Sequence, residues 1–277
     1  MTRARSCLAA LALAAAAPAA SSAQAPLPPA SRALGLTFGV ADFHQRDEYL
    51  APATYAGAML AAGIGYERRG ARTLLDVEAA ATFGRTDSPT LPRDVHQYTG
   101  RVAVTLLRAL GAAGDTGRRL RLYAGGGLTA LASVTDFKTR DLAYGGTSYG
   151  DASWYWSRSL DLVARAEYRL GRRAVALQLS VPALRLVSRP ETGKFFPGGK
   201  PRVAASVLGA VVAGSPEAPW ENPVLFGRAE VRQRLGGGGG GGLVLRAVYD
   251  FSYVSSDRPL PLGMYCNAFQ VGVLWPL

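Results

Sequence analysis

Cysteine is almost missing from this 277-residue chain, which holds only Cys7 and Cys266. Cys7 falls in a segment that reads as removable, so the mature chain forms no internal disulfide. That excludes a disulfide-stapled secreted scaffold. Lysine is nearly as scarce: Lys138, Lys194 and Lys200 are the only ones. Histidine occurs twice, and no Cys/His metal spacing, GxSxG, HExxH or phosphate-loop pattern is present. We therefore expect no metal, no cofactor and no assigned catalytic set, with the balance leaning away from an enzyme. No mature stretch offers the roughly 18 apolar residues of a spanning helix; the longest candidate is Val203–Gly214. The net charge is +11, yet the arginines are scattered through turns and alternate positions rather than gathered in a run. A nucleic-acid partner is not expected.

What the sequence does have begins at its start. Arg3 and Arg5 precede the apolar run Cys7–Ala17, and the small-residue stretch "PAASSAQA" follows. This is the pattern of a secretory signal peptide. Residues 1–23 are assigned to it, with cleavage after Ala23, and 24–31 to an N-terminal extension.

Period-2 alternation then dominates. From Trp154 to Leu170 one parity reads Trp154, Trp156, Arg158, Leu160, Leu162, Ala164, Ala166, Tyr168, Leu170. The other reads Tyr155, Ser157, Ser159, Asp161, Val163, Arg165, Glu167, Arg169. Only a strand separates these sets. Twelve residues separate Trp156 from Tyr168, roughly 40 Å of strand, or about 28 Å vertically when tilted near 45°. Arg158 breaks the apolar face and reads as snorkelling at an interface or as marking a bulge. Similar alternation recurs from Leu34 to Val40, Leu60 to Tyr66, Leu75 to Phe83, Tyr98 to Leu106, Leu120 to Thr129, Val175 to Val181, Leu225 to Leu235, Leu245 to Tyr253 and Phe269 to Leu277. That makes ten strands.

Their connections alternate in length. Residues 67–71, 111–119, 170–173 and 236–242 are short turns; 42–53, 85–95, 135–152, 188–222 and 255–263 are longer and more polar. An even strand count with alternating short and long connections predicts an all-β fold. Its expected form is a closed antiparallel transmembrane β-barrel over 32–277, with short periplasmic turns and longer outer loops. The apolar run Val203–Gly214 is placed in the long outer loop 188–222, with Phe195, Phe196 and Trp220 as expected anchors. Trp154, Trp156, Tyr168 and Trp275 form the expected aromatic girdle.

The whole pattern resembles bacterial outer-membrane β-barrel proteins of the ten-stranded class. "FQVGVLWPL" in particular resembles their C-terminal targeting strand, although Leu277 stands where an aromatic is usual. The resemblance implies the outer membrane of a Gram-negative-type bacterium. It also implies contact with lipid bilayer and lipopolysaccharide, and insertion by the barrel-assembly machinery.

The inward parity gathers acids (Glu67, Asp76, Glu78, Asp161, Glu167, Glu230, Asp250) and bases (Arg101, Arg121, Arg165, Arg169, Arg228, Arg232, Arg234, Arg246). In so narrow a barrel, near-balanced long side chains are expected to cross-link the lumen rather than line a wide pore. Both histidines occur as Asp-x-His, Asp42–His44 and Asp94–His96. They resemble the Asp–His pair of omptins, ten-stranded outer-membrane proteases, but no second acidic pair stands at a matching strand end. The sequence thus favours a charge-filled barrel with a structural or surface and ligand-interaction role. A narrow solute channel and an omptin-like hydrolase are the alternatives.

Overall fold

The computed structural model describes residues 31–48, 53–88, 91–110, 119–137, 152–189, 214–235, 242–257 and 260–277. The expected signal peptide, the extension to residue 30, and most of the long outer loop, including Phe195, Phe196 and the run Val203–Gly214 up to its final glycine, lie outside them.

Eleven strands follow in chain order: β1 (Ser31–Asp47), β2 (Thr54–Arg69), β3 (Thr73–Ser88), β4 (Leu91–Leu110), β5 (Leu120–Phe137), β6 (Ala152–Leu170), β7 (Arg173–Ser188), β8 (Ser215–Glu217), β9 (Val224–Arg234), β10 (Val244–Ser256) and β11 (Leu262–Pro276). Each long strand pairs antiparallel with its neighbour, β7 pairs with β9, and β1 pairs with β11. The ten long strands therefore close into an antiparallel barrel, with no free edge left in the ring. Only the three-residue β8 lies outside the ring, against the outer end of β7.

The faces follow the alternation. Phe38 is 63% exposed and Leu162 65%, whereas Asp161 and Glu230 are each 1% exposed. Apolar side chains thus form the outside of the barrel and charges fill part of the inside, the reverse of a water-soluble domain and what a lipid-embedded barrel requires.

Closure needs local concessions. Gly39 and Gly272 face inward at the β1–β11 seam. A side chain at either would press into the partner strand's backbone, about 1.9 Å from the Phe269 carbonyl and 1.8 Å from that of Leu36. Only glycine permits this approach and the sharp strand coiling that goes with it. Between β6 and β7, Leu160 faces Leu184 while Asp161 faces Pro182, so β7 carries one extra residue. At this bulge β7 changes parity. Val181 is on the outside before it, Leu184 and Leu186 after it, and Arg185 turns inward. Pro182 is tolerated there because a bulge interrupts the ladder. The β6–β7 turn uses Gly171 at φ 61° as the first central residue of a two-residue turn, the II′ arrangement.

The outer strand ends run further than the polarity of their sequence suggests. Among the described residues, strand continues into the segments expected as loops at 42–53, 85–95, 135–152 and 255–263, over 42–47, 85–88, 91–95, 135–137, 152, 255–256 and 262–263. Their outward side chains turn polar (Asp42, His44, Arg46) while the period of two continues, with Phe43, Gln45 and Asp47 buried inside. Polarity marks where the wall leaves lipid, not where pairing stops. In the same way 188–222 is not one uninterrupted loop, because β8 lies within it.

Candidate functional site

The barrel interior divides into two halves. Towards the short turns it is held by ions. Arg69 on β2 reaches across to Glu167 on β6, with its Nη1 and Nη2 donating at 2.6 and 2.7 Å. Arg232 on β9 donates to both carboxylate oxygens of Glu67 on β2, at 3.0 and 2.6 Å. Glu230 sits at the centre, with Arg165 at 3.3 Å, Arg232 at 2.8 Å and Arg246 at 2.6 Å. One step further along the axis, Arg228 is bound to Glu78 and to Asp250, at 2.8 Å for the latter, while Arg101 meets Glu78 at 3.2 Å. β2, β3, β4, β6, β9 and β10 are thereby tied together through the lumen as well as around the wall. A small polar cavity of about 30 Å³ remains between Asp76, Glu78, Arg101, Thr129, Ser180 and Arg228, room for one or two waters.

Not every expected member joins. Asp161 is buried but accepts from Thr129 at 2.5 Å and Ser180 at 3.2 Å, with no arginine partner among the described residues. Asp76 lies 3.9 Å from Arg165, the long edge of an ion pair. Arg121, Arg169 and Arg234 sit on the turn-side rim, outside the network. A small apolar cluster of Leu74, Leu107, Tyr123 and Val163 fills the wall beside it.

The outer half is packed differently. Phe43, Met59, Ala61, Leu131, Tyr155, Val187, Val224, Phe226, Val254, Leu262 and Met264 point inward and form one buried apolar cluster, with Cys266 packed against it. The sequence reading missed this layer. The signal was present: at the outer strand ends the inward parity changes from charged to apolar. Arg101 lies over the Phe226 ring at 5.4 Å, where the two layers meet. A polar strip runs beside the cluster, with Gln97 donating to Ser133 at 2.6 Å and accepting from Thr135 at 2.7 Å.

Two buried arginines tie down the outer rim. Arg185 donates to Glu217 on β8 and to the Ser255 carbonyl at 2.8 Å, and Ser256 donates to the same Glu217 at 2.6 Å. Arg189 donates to Asp47 at 2.6 Å and to the Leu260 carbonyl. Burial pulls the Arg189 pKa down from its ordinary value, and the Asp47 carboxylate pushes back.

The expected girdle residues lie on the outer wall, Tyr168 and Trp275 towards the turns and Trp154 and Trp156 towards the loops. Tyr98, Tyr253 and Tyr265 are further outward aromatics near the outer end. Trp220, expected as a loop anchor, is 82% exposed and packs against little of the described protein. Asp42 and His44 face out of the barrel wall, not into its mouth. The His44 Nε2 lies 3.2 Å from Asp42, and its ring stacks on Tyr265 at 4.2 Å between centroids. His96 also faces outward, in register with Arg85 and Asp136. β1 and β4, which carry the two histidines, are separated by β2 and β3, so the pairs do not form one centre. Among the described residues no group of three His, Cys, Asp or Glu side chains is placed to hold a metal ion.

The sequence matches no family model and no curated protein. Solved structures resemble it at the level of fold. The outer membrane protease OmpT of Escherichia coli aligns over 90% of this chain and 96% of its own, at 10% identity and a TM-score of 0.44. Neisserial surface protein A aligns over 88% and 97%, at 10% identity and 0.33. A Pseudomonas aeruginosa FadL homologue aligns over 88% and 90%, at 8% identity and 0.31. The ring of strand pairs and its apolar exterior stand on this chain's own geometry, and by that geometry it is a ten-stranded barrel of outer-membrane type.

Proposed function

We propose that this chain is exported through residues 1–23 and inserted in a bacterial outer membrane by the barrel-assembly machinery. There it works as a shut barrel whose outer end meets lipopolysaccharide and surface ligands. One observation supports this above the others: the lumen is blocked twice over, by cross-lumen ion pairs centred on Glu230 and by the apolar layer around Phe43 and Met264. A solute path would have to break paired, buried charges, each several kcal/mol from water once its partner is lost, and then wet an apolar layer. What is left to meet the outside is the outer rim, where strands rise beyond the apolar belt and β8 is clamped by Arg185 and Ser256. A hydrolytic role for Asp42–His44 is not part of this proposal, because the pair faces away from the mouth and stacks on Tyr265.

The test is conductance. Residues 24–277, refolded and inserted in a planar bilayer, should give no discrete current steps, while heating should still shift the folded band on a gel. Resolved steps of constant amplitude would replace this proposal with a narrow solute channel. Peptide cleavage that is lost in His44→Ala would replace it with a hydrolase. Removing residues 192–212, between the strands and β8, should leave the heat-modifiable band intact.

A further inference from the structure

The turn-side rim carries outward arginines that no described residue neutralises. Arg32 on β1 stands directly opposite Arg68 on β2. Arg72 follows in the β2–β3 turn, and Arg108 on β4 pairs in register with Thr73 beside it. All four are exposed, and their side chains make no ion pair with a described residue. Like charges set directly across an antiparallel pair, with Cβ atoms about 5 Å apart, repel one another. The neighbouring outward positions offer no carboxylate side chain: they are Leu34, Tyr66, Leu75 and Leu106. Among the described residues no acidic side chain supplies a counter-charge for this group.

Its height on the wall says which kind. Leu34 lies in register between Trp275 on one side and Tyr66 on the other. Aromatic rings of this sort sit at the membrane–water interface. Arg32 and Arg68 each follow two residues beyond that level, about 7 Å further along the strand. That is the depth of lipid phosphates. The four arginines also follow the outside of the rim, tangent to the bilayer, instead of lining the barrel mouth.

Resting on the membrane-barrel reading above, we infer that Arg32, Arg68, Arg72 and Arg108 form a binding surface for anionic phospholipid headgroups in the leaflet at the turn end. Guanidinium forks match phosphate oxygens bidentately, which suits arginine over lysine in this role. The four span β1 to β4, so one diacylglycerol phosphate or a two-phosphate lipid can engage several at once. Lipid bound there would pair the charges opposite each other on β1 and β2, next to the seam where β11 closes the barrel.

Trp275 is a built-in reporter beside the cluster. The protein is prepared with Trp154→Phe, Trp156→Phe and Trp220→Phe, so that Trp275 alone fluoresces. It is then refolded in phosphatidylcholine vesicles containing a quarter phosphatidylglycerol, with bromine on the chains of one lipid or the other. Quenching by brominated phosphatidylcholine establishes that Trp275 is in the bilayer; its absence would sink the membrane reading itself. With that quenching in place, brominated phosphatidylglycerol should be preferred at Trp275 by about fivefold or more, as expected for even one engaged arginine. The preference should vanish in the variant with Arg32, Arg68, Arg72 and Arg108 all changed to Gln, while phosphatidylcholine quenching and the heat-modifiable band persist. It should also survive 10 mM free inorganic phosphate, which would abolish it if the site took soluble phosphate instead. Equal quenching by the two lipids, or a preference unchanged in the four-arginine variant, would overturn the inference. Loss of preference with an acidic soluble protein bound instead would do so as well.

Discussion

The turn-side half of the lumen is bound by charges that reach across it, whereas the outer half is packed like the core of a soluble protein. Both halves are interior, and both belong to the same ten strands. The difference lies in which side chains the inward parity supplies. Glu67, Glu230, Arg165 and Arg232 span a wide gap with long, flexible arms and satisfy one another. Phe43, Met264 and Leu262 fill their space by contact alone. Charge pairing fixes partners by distance and direction; apolar packing fixes volume. The barrel uses the first towards the short turns and the second towards the outer strand ends.

The largest effect should come from breaking the ionic half at its centre. Glu230→Ala would strand Arg165, Arg232 and Arg246 without their shared carboxylate, and we expect a loss of about 3–5 kcal/mol. The urea midpoint of the refolded barrel reads this directly. A change under about 1 kcal/mol would mean that water already solvates the network. Next, Leu162→Arg puts a cation on the lipid-facing wall at a residue 65% exposed on the barrel exterior. We expect about 2–4 kcal/mol and poor assembly into vesicles. If the variant assembled as well as the parent protein, the outside of the barrel would not be in lipid.

The outer half should respond more mildly. Met264→Ala opens a cavity in the apolar layer, and about 2 kcal/mol is expected, within the usual range for such truncations. A loss near zero would mean that the layer collapses around the gap or is not packed. Smallest of all is Trp220→Ala, which should move the urea midpoint by less than about 0.5 kcal/mol because the side chain is 82% exposed.

The sequence made the wall of this molecule legible and half of its filling. The outward parity of Leu34–Val40 and Leu160–Tyr168 is a lipid-facing signal that depends only on the period of two, and the strand count follows from it. The charge pairs were readable as types but not as partners. Which arginine meets which acid depends on register and tilt, so Asp161 went to Thr129 and Ser180 while Arg121, Arg169 and Arg234 stayed on the rim. The apolar layer is hard to see in the sequence because polar outward residues such as Asp42 and His44 look like the ends of strands. In fact only the solvent outside changes there, and Phe43 continues the inward face between them. The bulge that returns Leu184 to the outside and Arg185 to the inside is written in the sequence as a switch of apolar parity, from Leu177, Leu179 and Val181 to Leu184 and Leu186, with Pro182 at the switch.

Both halves of the lumen are proposed to be closed, and Cys266 tests this where closure is least expected from charge alone. This thiol is on the inward face of β11, opposite Phe43 and packed against the apolar layer. With Cys7→Ser it is the chain's single cysteine, and the folded barrel can be challenged with a small charged methanethiosulfonate in the presence and absence of urea. Folded protein should stay unlabelled over times that label the unfolded chain fully, whichever end the reagent enters. Labelling of the folded barrel at a rate comparable to the unfolded chain would reveal a water path through the outer half and contradict the proposed closure.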